Sequence, residues 1–207
     1  VNPANDWVDC ISVAQLKQIW EPGSTVRKWS DVDPKWPDNE IKLFGADTDS
    51  GTFDYFTEAI VGKTKASRGD FTASEDDNVL VQGIATDVNA LGFFGYAYYH
   101  ENRDKLKAVP IKNGDAAPVA PSMETVINGS YQPLSRPIFI YVNVKSLQTK
   151  PFVKAFVEFY LKEAAKLVKE VGYVPLADEF YKKGQERLSG LKTGTAFKGD
   201  GEIGVTI

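Results

Sequence analysis

A turn at Ser50, Gly51 and Thr52 carries the groups in this chain that are best suited to bind an anion. The apolar run 41–44 predicts a buried strand, and the pattern over 52–61 predicts a helix that begins directly after the turn. The first N–H groups of a helix have no partner inside it, and the helix dipole places partial positive charge at the same end. Gly51 lets a ligand come close to the backbone, while Ser50 and Thr52 add hydroxyl donors. We therefore predict a small oxyanion cradle at these three residues.

The same turn has a plainer interpretation, in which Ser50 caps its own helix and binds nothing. Ser-Gly-Thr is common at helix starts, so the motif alone does not decide between the two. Three carboxylates, those of Asp47, Asp49 and Asp54, surround the turn in the sequence. A carboxylate repels a fully ionised oxyanion but accepts a hydrogen bond from one that keeps a proton. These residues would then favour a protonated guest, or they only cap turns.

A second helix start, further along the chain, offers a comparison. We predict a helix over residues 74–86 that opens with Ser74 and three carboxylates. These carboxylates already answer the helix dipole and should repel an anion. The helix that follows Ser50 has only Asp54 in its first turn, and its leading amides are free. Of the two helix starts, the one at Ser50 is therefore the better anion site.

Composition excludes several classes of function. The chain has 207 residues, a net charge of −4 and a pI near 5.2, with no basic cluster to neutralise the phosphates of a nucleic acid. No apolar run approaches the roughly 18 residues of a membrane-spanning helix. Cys10 is the only cysteine, which excludes an internal disulfide and a cysteine metal site. We therefore expect no nucleic-acid partner and no direct membrane span.

An enzyme is a further alternative, and it has little support in the sequence. His100 is the only histidine and lies in a tyrosine-rich helical pattern, where a packing or surface role is expected. Cys10 stands just before Ser12 in a helix-capping context, which favours a small buried residue over a nucleophile. No Ser/His/Asp order and no metal-ligand spacing occurs. We predict no enzymatic activity, no catalytic residue, no bound metal and no cofactor.

Short strands and helices alternate along much of the chain, which is typical of an α/β domain. The predicted helices cover residues 13–20, 52–61, 74–86 and 95–102, and the predicted strands cover 41–44, 91–94, 106–111 and 135–142. The apolar spacing that follows predicts two helices at 151–169 and 176–188, with no strand of their own. Such amphipathic helices need a surface to cover. Residues 204–207 could pair as a sheet edge.

Six separated blocks resemble the phosphate-binding proteins of bacterial phosphate-uptake ABC transporters, close to the branch found in cyanobacteria and Gram-positive bacteria. The blocks follow the family's order over nearly the whole chain, and no single block would suffice. They are residues 2–7 (NPANDW), 48–58 (TDSGTFDYFTE), 67–71 (SRGDF), 74–78 (SEDDN), 91–96 (LGFFGY) and 134–141 (LSRPIFIY). The resemblance implies two α/β lobes joined by two crossing strands, with the anion held between the lobes.

The resemblance also implies a fold class and domain boundaries. It predicts an α/β, periplasmic-binding-protein-like (type II) lobe with a mixed sheet flanked by helices, together with C-terminal helices of a first lobe. Residues 1–6 would end the first crossover strand, 7–133 form the second lobe, 134–142 the return crossover strand, and 143–207 the C-terminal helices and tail of the first lobe. Because the sequence opens without an initiator Met or a signal region, we expect the rest of the first lobe to be missing before Val1.

Carried over residue by residue, Ser50, Gly51 and Thr52 match the family's Ser-Gly-Thr phosphate cradle. Some relatives place an Arg shortly before that motif, where this chain has none. We therefore expect a guanidinium from elsewhere and name Arg68 as the candidate, since a planar fork can hold two phosphate oxygens. In the alternative, Arg68 is a surface residue paired with Asp70.

The implied function is extracytoplasmic binding of inorganic phosphate for delivery to an ABC permease. The location is the periplasm or the outer side of the cell membrane, with a lipid anchor as one option for a full-length protein. The family's main proton-accepting Asp belongs to the first lobe, so we expect this partial chain to bind phosphate weakly. Two alternatives stay open: a binder of another tetrahedral oxyanion, such as sulfate or molybdate, or a protein-interaction fragment that uses Trp29, Trp36 and uncovered helix faces.

Overall fold

The computed structural model describes residues 1–194, and the chain divides into two units, Val1–Ser135 and Arg136–Ile207. The sheet edge predicted at residues 204–207 lies outside the described residues. The lobe boundaries implied by the resemblance remain a prediction. Within the described part of the chain, no helix is both long enough and apolar enough to cross a membrane.

Short strands in the first unit form two parallel sheets. The strands are β1 (Ile11–Ser12), β2 (Lys42–Ala46), β3 (Thr72–Ser74), β4 (Ala90–Phe93) and β5 (Ile111–Lys112). Strand β1 pairs with β5, and the other three form a sheet in the order β3-β2-β4. Antiparallel pairing among the described residues is limited to isolated bridges, Lys28 to Glu40 and Ile111 to Val119. The predicted α/β class is confirmed.

Helices connect these strands. They are α1 (Val13–Trp20), α2 (Gly51–Val61), α3 (Asp77–Thr86), α4 (Tyr96–Glu101) and α5 (Met123–Ile127). Helix α1 has the predicted bounds because local signals fix both of its ends. Ser12 Oγ accepts a hydrogen bond from the Gln15 amide at 3.1 Å, and Gln15 Oε1 accepts one from the Ser12 amide at 2.9 Å. The Pro22-Gly23 pair then ends the helix.

The core of the first unit is strongly aromatic. Trp20, at the end of α1, packs edge-on against Phe71 and Phe93, with ring centroids 5.3 and 4.9 Å away. The rings of Phe56 and Phe93 stack with their centroids 3.8 Å apart, which ties α2 to β4. Aromatic pairs of this kind stabilise a core beyond the area they bury. The core therefore holds α2 in a fixed position on the sheet.

Trp29 belongs to this core and not to an exposed contact surface. Its side chain is fully buried, and its ring packs edge-on against the rings of Trp7 and Trp36. Loop-pinning, the more conservative interpretation of the tryptophans, accounts for these contacts. The protein-interaction alternative therefore loses the support that it drew from Trp29.

Two predicted elements of the first unit have different bounds in the structure. The helix predicted over 74–86 begins only at Asp77, because Ser74 is the last residue of β3 and Asp76 is the N-cap of α3. The strand predicted over 106–111 is reduced to β5 at its carboxyl end. Both differences have the same cause. The residue pattern predicts one continuous element, whereas the backbone hydrogen bonds form the element over only part of that range.

Residues 135–142, all within the described part of the chain, form no strand, so the strand predicted there is wrong. The prediction rested on alternating β-branched and aromatic residues, but a strand also needs a neighbour for its backbone groups. No described strand pairs with this segment. Its side chains from Ile138 to Tyr141 are exposed.

The described part of the second unit is helical. It contains α6 (Val144–Thr149), α7 (Pro151–Glu170) and α8 (Asp178–Ser189), and α7 packs against the other two. Helices α7 and α8 match the predictions within two residues, whereas α6 was not predicted. The inner face of α7 is buried at Val157 and Ala164, and its aromatic face is exposed.

Candidate functional site

The candidate site lies where β2 ends and α2 begins. The Asp47 amide still donates to the carbonyl of Ser74 at 3.2 Å, which continues the pairing of β2 with β3 by one residue. The chain then turns, and the Ser50 amide donates to the Asp47 carbonyl at 2.9 Å. Ser50 is the extended N-cap residue of α2, and its Oγ accepts a hydrogen bond from the Thr52 amide at 3.1 Å. The cap interpretation of Ser50 is therefore correct as far as the serine oxygen is concerned.

The cap leaves several donors at the start of α2 without a partner. Among the described residues, nothing accepts a hydrogen bond from the amides of Gly51 and Phe53, or from the hydroxyl protons of Ser50 and Thr52. The positive end of the α2 dipole adds to these donors. The structure thus brings the three predicted cradle residues together and adds the amide of Phe53, which the sequence reasoning missed.

At each of the two neighbouring helix starts, one backbone amide donates to a carboxylate. In α3, Asp76 Oδ1 accepts a hydrogen bond from the Asn78 amide at 2.9 Å. At the start of α4, Asp77 Oδ2 accepts one from the Gly95 amide at 3.4 Å. Asp77 is partly withdrawn from water, and this burial raises the pKa of its carboxyl. The contrast drawn from the sequence does not hold as stated, because α3 begins at Asp77 and has one carboxylate in its first turn, as α2 has with Asp54. The Asp77 amide of α3, like those of Gly51 and Phe53 in α2, donates to no described acceptor.

The three helix starts share one edge of the sheet. Strands β2, β3 and β4 run parallel, with Ala46 beside Ser74 and Gly45 beside Phe93, so their carboxyl ends meet. In open parallel sheets, ligands bind outside the carboxyl ends of the strands. The start of α2 is therefore placed where this type of fold binds its ligands.

The carboxylates near the cradle differ in what they do. Asp47 Oδ1 accepts from the backbone and the side chain of Thr48, so this residue caps the turn. Asp49 is exposed. Asp54 Oδ1 is shielded from solvent and accepts no hydrogen bond from any described residue, and the nearest cation is Lys65 Nζ at 3.9 Å. Asp54 therefore has an acceptor to offer in the first turn of α2.

Arg68 is buried and engaged with its own chain. Its Nη1 donates to the carbonyls of Ile19 and Val26 at 3.0 and 2.9 Å, and its Nε and Nη2 bind the two oxygens of Asp70. The pairing with Asp70 matches the alternative weighed for this residue, although Arg68 is a core residue and not a surface one. A guanidinium with these partners has no fork left for an anion, so we leave Arg68 out of the site.

His100 and Cys10 are the residues that the sequence offers for enzymatic or metal chemistry. His100 is half-buried with its ring 5.9 Å from that of Tyr96, and Cys10 is half-buried and free. Within residues 1–194, no group of three or more His, Cys, Asp or Glu side chains could hold a metal ion.

Tyr55 is a further residue of α2 that the sequence reasoning missed. Its hydroxyl lies 2.7 Å from the Pro133 carbonyl oxygen and 2.9 Å from that of Ser135. These acceptors are 78 and 80 residues away in the chain. No local pattern could have indicated the contact, since it exists only after the unit has folded.

Among the solved structures that are similar to this chain, two are most informative about its ligand. A possible phosphate binding protein from Planctomyces limnophilus is 47% identical, with a TM-score of 0.80 over 93% of this chain and 68% of that one. A Clostridium perfringens protein assigned to phosphate ABC transport, whose structure contains bound phosphate, is 25% identical, with a TM-score of 0.65 over 83% of this chain and 65% of that one. The fold is therefore shared with substrate-binding proteins of phosphate transport.

Curated relatives and a family model agree with this likeness. Protein SphX of Synechocystis is 48% identical over the whole of this chain and 62% of its own length, and the phosphate-binding protein PstS of Staphylococcus saprophyticus is 37% identical over 92% of this chain and 58% of its own. The chain thus spans about three fifths of the length of these relatives. The model of a PBP superfamily domain matches residues 1–164. The resemblance drawn from the six sequence blocks is confirmed, and the chain belongs to the PBP superfamily.

Proposed function

We propose that the chain binds inorganic phosphate at the start of α2, as part of an extracytoplasmic protein that delivers phosphate to an ABC permease. The observation that carries the proposal is the set of free donors at Ser50, Gly51, Thr52 and Phe53 at the carboxyl edge of the parallel sheet. The names of the curated relatives and the phosphate in the Clostridium perfringens structure support the choice of ligand.

The chemistry of the donors fits a tetrahedral oxyanion. Backbone amides and hydroxyls that converge at a helix start, with the dipole behind them, bind phosphate without any positively charged side chain. The cradle contacts one side of the anion, because all of its donors belong to a single helix turn. We therefore propose that this chain by itself binds phosphate more weakly than about 1 μM, which corresponds to roughly 8 kcal/mol.

The carboxylate of Asp54 favours the binding of phosphate over the binding of sulfate. Sulfate has no proton at neutral pH, whereas phosphate keeps one or two and can donate a hydrogen bond from P–OH to a carboxylate. Asp54 Oδ1, which accepts no hydrogen bond and lies 3.9 Å from Lys65 Nζ, is the acceptor in the first turn of α2 that could receive it. Leaving such an acceptor unpaired beside a bound sulfate costs about 1–3 kcal/mol, or roughly tenfold to a hundredfold in affinity.

The transport step follows from the proposed family mechanism. Two lobes of a binding protein close around the ligand, exclude water and present a closed surface to the permease. The relatives that are called phosphate-binding proteins support this role, and they support a location outside the cytoplasm. A lipid anchor on the whole protein stays a prediction.

Calorimetric titration of the chain with phosphate tests the binding proposal. Replacing Ser50 and Thr52 together, by Ala and Val, removes both free hydroxyls and should weaken phosphate binding at least tenfold. Ser12→Ala is the matched control, since Ser12 caps α1 and its removal costs a cap without touching the candidate site. Equal phosphate affinities in the double variant and the original chain would contradict the site.

Competition against sulfate and molybdate separates the proposal from its closest alternative. Phosphate should displace either anion from the chain, and neither should displace phosphate at equal concentration. Tighter binding of sulfate or molybdate than of phosphate would show that the natural ligand of this site is another tetrahedral oxyanion. Sub-micromolar phosphate affinity would contradict the proposed weakness of a one-sided cradle.

A further inference from the structure

A hydrogen bond from Tyr55 joins the candidate anion-binding helix to the end of the first unit. Tyr55 lies one helical turn after Gly51 in α2, about 6 Å along the axis. Its hydroxyl is 2.7 Å from the Pro133 carbonyl oxygen and 2.9 Å from the Ser135 carbonyl oxygen. Carbonyl oxygens only accept, so the hydroxyl is the donor, and its one hydrogen is shared between two acceptors.

The segment that receives this hydrogen bond is itself well held. Ser135 Oγ donates to the Tyr131 carbonyl at 2.7 Å, and the Tyr131 amide donates to the Thr125 carbonyl at 2.9 Å. Pro133 is buried, and Ser135 is the last residue of the first unit. Tyr55 therefore ties α2 to a firm anchor at the point where the chain leaves the unit.

This tie acts on the geometry of the cradle. Donors on a helix start bind an anion well only when they are held within a fraction of an ångström of the productive position. On the core side, Phe56 stacks on Phe93, and on the other side the Tyr55 hydroxyl fixes how α2 is rotated about its axis. Loss of the hydroxyl leaves the packing in place but removes this second point of support.

We propose that Tyr55 is a positioning residue, which orients the start of α2 for phosphate and couples phosphate binding to the Pro133–Ser135 segment. The inference rests on the proposed function, because it concerns the same site. Coupling between two events is reciprocal: if the tie strengthens phosphate binding by a given factor, bound phosphate must make opening of the tied segment rarer by that factor. Phosphate at the start of α2 therefore steadies the end of the first unit.

Hydrogen exchange and phosphate titration test this coupling in the 207-residue chain. In the original chain, inorganic phosphate should slow exchange of the Tyr131 amide, which is hydrogen-bonded to the Thr125 carbonyl, while sulfate at the same ionic strength should slow it less. Tyr55→Phe should weaken phosphate binding roughly threefold to tenfold, the value of one net hydrogen bond, and abolish the phosphate-dependent slowing. Tyr99→Phe is the chemical control, since it removes a tyrosine hydroxyl in α4 and should change neither measurement.

Ser135→Ala is the structural control. It removes the bond from Ser135 Oγ to the Tyr131 carbonyl and loosens the same segment, but it leaves the acceptors of Tyr55 in place. It should raise exchange in the segment and weaken phosphate binding less than Tyr55→Phe does, because the hydrogen bond from Tyr55 to the segment remains. Equal losses of phosphate affinity in Ser135→Ala and Tyr55→Phe would reduce Tyr55 to a structural residue and overturn the inference.

The remaining outcomes are distinct. Absence of phosphate binding by the original chain contradicts the proposed function and, with it, the inference. Phosphate binding without slowing of Tyr131 amide exchange overturns the inference alone, and this measurement needs no variant. Unchanged phosphate affinity in Tyr55→Phe also overturns the inference and leaves the proposed function intact.

Discussion

Arg68 donates two hydrogen bonds to Asp70, from Nε to Oδ1 at 2.6 Å and from Nη2 to Oδ2 at 2.8 Å. The rest of the guanidinium faces the carboxyl end of α1, where Nη1 donates to the Ile19 carbonyl. The Arg68 amide donates to the Trp20 carbonyl at 3.0 Å. The last carbonyls of a helix have no partner inside it, and a cation there also answers the dipole. Arg68 therefore caps α1 and closes the loop that follows α2.

The first prediction concerns this cap. Arg68→Lys keeps the charge but loses the planar fork, so the Ile19 carbonyl loses its donor and the Val26 carbonyl keeps only the one from Arg27 Nη1. We expect the free energy of unfolding to fall by about 2–4 kcal/mol, measured by urea denaturation. Arg27→Ala removes a half-exposed partner of Asp70 together with the bonds from Arg27 Nη1 to the Ser24 and Val26 carbonyls, and it should cost less than Arg68→Lys.

Phosphate titration of the same Arg68 variant separates stability from binding. Affinity per folded molecule should be unchanged, because the guanidinium is engaged away from any ligand. Loss of phosphate affinity without loss of stability would return Arg68 to the binding site.

The second prediction follows the charge of Asp70. The hydrogen bonds from Arg68 lower the pKa of the Asp70 carboxyl to about 2, from an ordinary value of 3.8. Because the pKa is lowered in the folded state, the stabilisation is present above pH 3.8 and is lost as the pH falls towards 2. Asp70 is half-exposed, and solvent screening therefore makes the loss smaller than the full shift implies.

Urea unfolding of the chain and of Asp70→Asn at several pH values checks this prediction. The original chain should lose stability more steeply than the variant between pH 3.8 and 2. Asp9→Asn is the control for an exposed carboxylate, and it should follow the original chain. Parallel curves for the original chain and Asp70→Asn would show that the ion pair contributes nothing to acid stability.

The helix ends and turns could be predicted from the sequence, because they depend on residues that are close together in the chain. The bounds of α1 follow from Ser12, Gln15 and Pro22, which act within a few residues of one another. The strand, the Ser-Gly-Thr turn and the helix were predictable for the same reason, since they are consecutive, while anion binding at the turn stays a prediction. Signals of this range determine caps and turns independently of the rest of the fold.

Other features depend on contacts between residues that lie far apart in the sequence. The alternation over residues 135–142 satisfied the pattern of a strand, but pairing needs a second strand at the right distance. Arg68 posed a similar problem, because a guanidinium suits a phosphate and a carboxylate equally well. Its role was decided by the folding of Ile19 and Val26 to within hydrogen-bond distance. The hydrogen bonds from Tyr55 join residues that are 78 and 80 positions apart, so no local pattern predicts them.

The third prediction concerns selectivity for phosphate. Asp54→Asn removes a negative charge beside the cradle and turns part of the acceptor into a donor, which sulfate can use. We expect the ratio of phosphate to sulfate affinity to fall about tenfold, measured by competition calorimetry. Asp49→Asn changes an exposed carboxylate of the same turn and should leave the ratio unchanged. An equal ratio in both variants would show that Asp54 does not accept the phosphate proton.

The fourth prediction concerns the close packing that holds the sheet below the site. A methyl group at Gly92 would lie 3.0 Å from the Phe44 carbonyl oxygen and would overlap the side chain of Ile84. The backbone of β2 cannot move away without breaking its pairing, so Gly92→Ala should destabilise the chain by about 1–3 kcal/mol in thermal unfolding. Gly69→Ala, with open space around its added methyl, should stay within about 0.5 kcal/mol. Equal unfolding temperatures for the two variants would contradict the packing argument.

The fifth prediction concerns the aromatic face of α7. Phe152, Phe156 and Phe159 are 71%, 65% and 55% exposed, although their spacing gives them one side of the helix. Rows of exposed aromatic side chains of this size drive association. We expect light scattering to show an apparent mass that rises above 22.8 kDa with concentration.

Charged substitutions separate this face from the rest of the surface. Replacing Phe156 and Phe159 together by Lys should lower the apparent mass at a given concentration. The cost in unfolding free energy should be small, because the two rings contact solvent more than they contact the chain. Val79→Lys, at an exposed apolar residue of α3, is the control and should leave the association unchanged. A concentration-independent monomer mass in the original chain would show that the exposed rings are tolerated in water, as single exposed apolar residues are.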